Sequence, residues 1–386
     1  MIKKIKAGIL GIGFIGRLHV EALRRIGYVD VATASRGGEA EARAKADELS
    51  VEKSYGSYLD LINDPDIEVV HICTPNNQHY ELAKAALLAG KHVLCEKPLT
   101  TTRNEAEELV KIAKEKNLVN AIHFNIRFYP LMYHAQAMVR KGEIGKVLAI
   151  NGSYTQDWLL YETDYNWIVE SEYCGHSRVV DDLGSHWFDL MEFITGIKVD
   201  KVLADYATFF PIRKKPLKPV ETFSGKVLSA EDLTDIKVTT EDYATVLIRF
   251  DNGAHGSMTT SQSFAGRKNR CFFEIYGTKK SIVWDEERPN ELWIGSRDEG
   301  NMTIMKDPSL LDESAIEYAS YPGGHNEGFN DTSKQLFGKV YEYIRNEGHK
   351  KGDIESFPTF KDGLREAAIC DSIFKSSKEV KWTTIE

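Results

Sequence analysis

The sequence predicts an α/β protein, in which an N-terminal doubly wound parallel sheet of the Rossmann type precedes an α+β domain with a large open, mostly antiparallel sheet. Three observations carry this prediction. Gly11-Ile12-Gly13-Phe14-Ile15-Gly16 stands between an apolar run and a helical pattern, the setting in which Gly-x-Gly-x-x-Gly holds a dinucleotide pyrophosphate. Strand-like and helical patterns then alternate to about residue 125. Beyond that point the apolar runs lengthen, alternate with polar residues and are joined by tight turns.

In the first third, strands are expected at 6–10, 29–34, 69–73, 92–95 and 119–122, because short, nearly continuous apolar runs suit strands buried on both faces. Helices are expected at 17–26, 39–49, 79–89 and 103–115. Gly90 ends the third of these as a left-handed cap, and 57–63 forms a short helix stopped by Pro65. Gly11 permits the first turn, Gly13 admits a pyrophosphate to the backbone, and Gly16 lets helix and strand pack closely. The helix N-terminus then offers N–H groups and a partial positive charge.

In the second part, strands are expected at 145–156, 199–210, 242–250, 254–264, 270–276 and 280–284. Asp251-Asn252-Gly253 and Gly277-Thr278-Lys279 supply hairpin turns. Helices at 131–141 and 182–195 cover one face of that sheet, and two more at 328–346 and 360–376 close the chain. The stretch 211–240, rich in Lys, Pro, Thr and Asp, reads as a long exposed excursion. The domains are therefore 1–125, dinucleotide-binding, and 126–386, substrate-binding.

A chain of 386 residues exceeds what one hydrophobic core usually serves. Lys+Arg 49 against Asp+Glu 58 leaves a net charge of −9, which argues against a nucleic-acid or acidic-membrane partner. No apolar run is long enough to span a bilayer, and residues 1–6 lack the pattern of a cleavable secretory signal. The cysteines Cys73, Cys95, Cys174, Cys271 and Cys370 are odd in number, with no Cys-x-x-Cys pair. They read as reduced thiols, so a cytoplasmic location is expected. No metal is expected: Cys174-Gly175-His176 lacks further ligands at workable spacing, and no His-x-x-x-His occurs.

Two further segments carry chemistry. Cys95-Glu96-Lys97-Pro98-Leu99 ends a parallel strand at the edge where open α/β sheets bind ligands. A lysine there can hydrogen-bond a substrate hydroxyl and stabilise developing alkoxide charge, and Pro98 fixes the bend, with the cis form open to it. A surface lysine in a strand-to-helix turn is the alternative. Asp182-Leu183-Gly184-Ser185-His186 places a carboxylate and an imidazole four residues apart on one helical face. Such a pair makes a base that works near neutrality, although a capping Asp with a buried His would show the same spacing. Gly184 inside a helix points to something approaching closely.

The glycine turn, Thr74-Pro75-Asn76 with His79, Glu96-Lys97-Pro98 and Asp182-x-Gly184-x-His186 together resemble the glucose–fructose oxidoreductase / inositol dehydrogenase (Gfo/Idh/MocA) family. The resemblance runs over nearly the full length. Within the family, Asn125-Ile126-Arg127-Phe128, Tyr154-Thr155-Gln156-Asp157-Trp158 and Gly324-His325-Asn326-Glu327-Gly328-Phe329 are similar to the branch that contains levoglucosan dehydrogenase. The resemblance implies an active site between a Rossmann domain and a C-terminal domain whose sheet commonly serves homodimer or homotetramer contacts. It implies oxidation of a secondary hydroxyl of a sugar, polyol or glycoside, or the reverse reduction, with Lys97, Asp182 and His186 as catalytic residues. Gly11, Gly13, Phe14, Ile15, Gly16, Ser35, Arg36, Thr74, Pro75, Asn76, His79, Glu96 and Lys97 would bind the cofactor. Arg127, Gln156, Asp182, His186, His325 and Asn326 would contact substrate. The aromatic and polar run through Tyr154, Gln156, Asp157, Trp158, Tyr161, Tyr165 and Trp167 suits a sugar, or else a core edge.

The second strand ends in Ser35-Arg36, where a carboxylate would favour NAD and an Arg with a small hydroxyl neighbour suits the 2′-phosphate of NADP. NADP is the expectation by a small margin over NAD. Two other functions share the scaffold. An NAD-dependent glycoside hydrolase would release free sugar without net cofactor reduction, and a non-catalytic sugar sensor would have no chemical need for Lys97, Asp182 and His186 together.

Overall fold

The structure, a computed structural model, describes residues 4–35, 37–217 and 232–386. They divide into two compact units, Met1–Asn125 with Asn330–Ala367 and Ile126–Phe329 with Ala368–Glu386.

In the first unit, β1 (Ile5–Leu10), β2 (Val29–Ala34), β3 (Lys53–Tyr55), β4 (Val69–Ile72), β5 (His92–Cys95) and β6 (Asn120–Ile122) alternate with helices. These are α1 (Phe14–Ile26), α2 (Gly38–Glu48), α3 (Tyr58–Asn63), α4 (His79–Leu88) and α5 (Arg103–Glu115). The six strands are all parallel, in the order β3-β2-β1-β4-β5-β6. The order reverses between β1 and β4, which makes that edge the switch point where such sheets take a ligand. β3 was not expected: three half-exposed residues carry no alternation for a pattern to register. α1 starts at Phe14, earlier than its pattern implied, so Gly16 lies within its first turn. Gly90 takes the expected left-handed conformation, with φ 78°.

The second unit comprises α6 (Pro130–Arg140), β7 (Val147–Thr155), α7 (Ser171–Cys174), α8 (Ser185–Thr195), β8 (Val199–Ala207), β9 (Ile212–Pro216), β10 (Leu233–Lys237), β11 (Tyr243–Phe250), β12 (His255–Ser261), β13 (Arg270–Gly277), β14 (Lys280–Asp285), β15 (Glu291–Ser296), β16 (Met302–Met305), α9 (Glu313–Ile316) and β17 (Thr383–Thr384). Nine strands form one sheet, β16-β15-β14-β13-β7-β12-β11-β8-β17. It is antiparallel except where β12 runs parallel to β7. Its buried side chains, among them Ile150, Val246, Ile248, Ile275 and Ile282, alternate with the opposite face. The excursion expected at 211–240 begins and ends as an antiparallel pair, β9 with β10; its middle, 218–231, lies outside the described residues.

The later helices are α10 (Phe329–Arg345), α11 (Gly348–Lys351) and α12 (Phe360–Glu379). The sequence placed all of 126–386 in one domain, yet 330–367 belong to the first unit. The edge of β6 explains why. Ile122 N–H donates to Pro358 O (3.0 Å) and Phe360 N–H to Asn120 Oδ1 (2.9 Å), so the returning chain satisfies a strand that would otherwise be open. Phe360 is fully buried in that unit's core, beside Leu99, Ile122 and Phe124.

The glycines of the first turn differ in what they need. A Cβ on Gly16 would fall 2.0 Å from Gly11 O, whereas one on Gly13 meets no heavy atom within 4 Å. We expect Gly16→Ala to destabilise the chain by about 1–3 kcal/mol and Gly13→Ala to stay within about 0.5 kcal/mol of wild type, as read from urea unfolding midpoints. Equal effects of the two changes would contradict the packing described.

Candidate active site

In the first unit the strand ends converge as the ligand edge of a doubly wound sheet requires. Gly11, at φ 89°, turns the chain so closely that a Cβ would lie 2.7 Å from Cys73 O. Its N–H donates to Ala34 O (3.1 Å), and Ser35 N–H to Tyr55 O (3.1 Å), so Ser35 adjoins the glycine turn. Gly13 is extended (φ −88°, ψ −159°) and open on its Cβ side, and the first turn of α1 holds no acidic residue. Phe14 is 53% exposed. At the end of β4, Thr74 is buried and its Oγ1 has no hydrogen-bond partner among the described residues. An open glycine and an orphaned hydroxyl on one edge fit a bound dinucleotide: among the described residues, none fills the space beside the glycine or pairs with the hydroxyl. Arg36 lies outside the described residues.

Behind that edge runs a buried hydrogen-bonded chain that the sequence reading did not foresee. Glu96 Oε1 accepts from His19 Nε2 (2.8 Å) and from His123 Nδ1 (2.6 Å). Burial pushes the Glu96 carboxyl up, but the two imidazoles more than offset this and hold it well below the usual range. Burial lowers His19 to about 4 and takes His71 well below its usual value, so both are neutral at pH 7. The ionised carboxylate can only accept, which fixes the direction: Tyr341 O–H donates to His71 Nε2 (2.8 Å), His71 Nδ1–H to His19 Nδ1 (2.9 Å), and His19 Nε2–H to Glu96. His123 Nε2 lies 2.9 Å from Ser333 Oγ, and Phe337 packs edge-on against His19 and His71. The ligand atoms of His19, Glu96 and His123 lie within 4.8 Å of one another, as in a three-ligand metal set. The hydrogen bonds account for that spacing.

Several expected cofactor residues therefore have structural work. Glu96 spends its carboxylate on this chain. His79 is fully buried, its Nδ1 2.7 Å from Pro98 O and its Nε2 2.9 Å from Thr74 O, so it braces the ends of β4 and β5 against each other. Pro75 and Asn76 lead into that brace, where Asn76 is buried. Lys97, half-buried, precedes a cis bond to Pro98 at the end of β5.

The second unit gathers Tyr154, Gln156, Asp182, His186 and two residues the sequence reading missed, Gln262 and Asn269. Val180–Gly184 is a π-helical turn, closed by the bond from Ser185 N–H to Val180 O, and it feeds directly into α8. Such turns are rare and recur at functional sites. Asp182 sits in the turn, and Gln262 Nε2 donates to its Oδ2 (2.6 Å). His186 is buried in the first turn of α8, its ring 6.1 Å from that of Tyr154. Asn269 Oδ1 accepts from Tyr154 O–H (3.0 Å) and Gln156 Nε2 (2.7 Å), and Trp158 Nε1 donates to Gln156 Oε1 (2.6 Å). The close approach expected at Gly184 is absent: a Cβ there would meet Val180 at an ordinary 3.4 Å.

Two buried carboxylates brace the turn. Glu241 Oε1 accepts from Ser177 Oγ (2.7 Å), Arg178 N (2.9 Å) and Val180 N (3.1 Å). Asp242 takes the Arg178 guanidinium and that of Arg213 (2.7 Å). Arg127, expected at the substrate, forms a two-pronged ion pair with Asp189, Nε to Oδ2 at 2.7 Å, and lies over the Phe193 ring. His325 and Asn326 are exposed on a loop rooted by the buried Lys306–Glu327 pair (2.6 Å). Tyr165 and Trp167 pack on a small apolar cluster around Leu159 and Val169, and Tyr161 is exposed. Among the described residues, no helix is long and apolar enough to cross a membrane.

Comparison with known proteins adds to this geometry. Residues 5–124 match the oxidoreductase family with an NAD-binding Rossmann fold, and residues 132–283 match the GFO/IDH/MocA C-terminal domain. Levoglucosan dehydrogenase of Pseudarthrobacter phenanthrenivorans is 29% identical, over 100% of this chain and 99% of that protein. Myo-inositol 2-dehydrogenase of Thermotoga maritima is 30% identical, over 74% of this chain and 76% of that protein. Among solved structures, levoglucosan dehydrogenase in complex with NADH matches with a TM-score of 0.88 at 29% identity, covering 100% of each chain.

Asp181, next to Asp182, behaves differently from its neighbour. Burial pushes its carboxyl up to about 8; His176 opposes this, while Glu241 and Asp371 add to it. Its Oδ1 has no partner among the described residues. The folded chain thus keeps a proton that the unfolded chain releases near pH 4, so this contribution to stability is full below pH 4 and is lost as pH rises through 8. The slope is at most about 1.4 kcal/mol per pH unit. Asp181→Asn removes the titrating group, and we expect its stability to fall less than that of wild type between pH 5 and 8 in urea unfolding. Parallel pH profiles would show that Asp181 is ionised in the folded protein.

Proposed function

From the premise that this chain belongs to the Gfo/Idh/MocA oxidoreductase family, we propose that it oxidises a secondary hydroxyl of a sugar, polyol or glycoside, or reduces the matching ketone, with a nicotinamide dinucleotide. The observation that carries this reading is an imidazole and a carboxylate, His186 and Asp182, set one turn apart at the junction of a π-helical turn and α8, with Asp182 pinned by Gln262. Full-length similarity to levoglucosan dehydrogenase supports an anhydrosugar or pyranose substrate.

The residues that would hold the dinucleotide are the Gly11–Gly16 turn with the N-terminus of α1 at the pyrophosphate, Ser35 near the adenosine ribose, and Thr74 and Asn76 along the β4 edge. The chemistry the cofactor supplies is that of a hydride acceptor. His186 takes the proton of the substrate hydroxyl as general base. Asp182 favours the imidazolium so formed and keeps the base effective near neutrality. The Lys97 ammonium donates to the reacting oxygen and stabilises its alkoxide character. Tyr154 and Trp158 offer aromatic surface to the C–H faces of a sugar, with the amides of Gln156 and Asn269 near by to accept and donate.

Leu247 and Trp293 are partly exposed, on the face of the nine-stranded sheet opposite the buried set. We take that face as a homo-oligomer contact, which a monomer in sedimentation velocity would remove.

His186→Ala is expected to lower turnover by about 10²–10⁴-fold, while NADH affinity, read by fluorescence titration, stays within about twofold. The assay is a panel of sugars, polyols, inositols and anhydrosugars scored by nicotinamide reduction. Undiminished turnover by the variant excludes the base role. Release of free sugar without net reduction would make the chain a glycoside hydrolase instead.

A further inference from the structure

We propose that Glu41 selects NAD over NADP by occupying the groups that would otherwise receive a 2′-phosphate. The inference rests on the cofactor reading above and deepens it.

Ser35 follows the last residue of β2 and adjoins the glycine turn through the Gly11–Ala34 hydrogen bond, so it lies where an adenosine ribose is held in this sheet type. Its hydroxyl is not free: Ser35 Oγ donates to Glu41 Oε1 (3.2 Å). Lys45 Nζ, one turn further along α2, lies 3.4 Å from the same Ser35 Oγ and pairs with Glu41 Oε1. The Glu41 carboxylate is folded back over the start of the helix, where a Cβ on Gly37 would fall 1.4 Å from Glu41 Oε2. Gly37 thus leaves room for the carboxylate, and any larger residue would expel it.

A serine hydroxyl and a lysine ammonium 3.4 Å apart at a helix N-terminus would suit a phosphate. Glu41 inserts a negative charge between them and satisfies both. A 2′-phosphate would meet like charge and lose its lysine, whereas a ribose 2′-hydroxyl can donate to the same carboxylate. Two other acids lie close by in the chain, Asp30 on β2 and Glu39 on α2. Glu39 is engaged elsewhere, accepting from Gly56 N–H (3.0 Å), and Asp30 pairs with Lys4 (2.7 Å).

The test is direct binding, independent of any substrate. NADH and NADPH are titrated into the full chain by energy transfer from tryptophan, for wild type, Glu41→Gln, Lys45→Gln and the double variant. Wild type is expected to bind NADH at least about tenfold tighter than NADPH. Glu41→Gln should tighten NADPH by about tenfold or more and weaken NADH by about threefold or more as the 2′-hydroxyl loses its charged acceptor, and adding Lys45→Gln should abolish the NADPH gain. Lys45→Gln alone should leave NADPH affinity within about twofold, since Glu41 already masks the ammonium. That second variant tests the idea even if the first misfolds. A wild-type preference for NADPH, an unchanged ratio in Glu41→Gln, or a strong loss of NADPH binding in Lys45→Gln alone overturns the assignment and leaves the dehydrogenase reading intact. Binding of neither dinucleotide by wild type removes both.

Discussion

A carboxylate taken out of water must be given donors for its lone pairs, and this requirement organises both units. Leaving such a charge unpaired costs several kcal/mol, and removing one partner of a buried pair costs about 3–5 kcal/mol. In the first unit the charge is Glu96, and meeting its demand draws in His19 from α1, His123 from the end of β6 and, through His71, Tyr341 from α10. The returning segment is thereby tied to the sheet by polar as well as apolar contacts. Because Lys97 follows Glu96 in the chain, the backbone that presents the lysine is held wherever the carboxylate is held. In the second unit, Glu241 and Asp242 play the same part for the π-helical turn. Their donors include the backbone N–H groups of residues 178 and 180 and the Arg178 guanidinium, all within four residues of Asp182, together with Ser177 Oγ and the Arg213 guanidinium.

How much of this was legible in the sequence follows from which contacts are local. The glycine turn, the lysine at the end of β5 and the Asp182/His186 spacing are each readable because their chemistry lies within a few residues. The parallel sheet was readable from alternating strands and helices, and the open sheet from hairpin turns. What escaped are partners far apart in the chain. Gln262 reaches Asp182 across 80 residues, and Tyr341 reaches His71 across 270. No period or motif announces such a pairing. The π-helical turn escaped for another reason: its extra residue per turn leaves an apolar pattern close to that of an ordinary helix. Glu41 lies outside the pattern because a ribose-binding acid is expected at the end of β2, not on α2 folding back toward it.

Residue type alone does not show which internal contacts burial adds. His79 and Arg127 belong to chemistries that suit a cofactor edge or a substrate pocket, and each also holds a structural partner. His79 spans two carbonyls between strand ends, and Arg127 forks onto Asp189. Both are still informative, because the residues they fix, Thr74 and Pro98 in one case and α8 in the other, flank the groups assigned to binding and catalysis. A substitution at either position would therefore disturb those flanking residues.

The adjacent pair Asp181 and Asp182 shows how one turn gives two carboxyl groups different work. Consecutive residues of a helical turn point about 100° apart, so one can enter the protein interior while its neighbour does not. Asp181 enters it, beside Glu241 and Asp371, where a second negative charge would be repelled and poorly solvated; protonation is the cheaper state. Asp182 remains half-buried and receives the amide of Gln262, a donor suited to a carboxylate. The same turn thus carries a protonated acid at 181 and, at 182, an acid that accepts from Gln262.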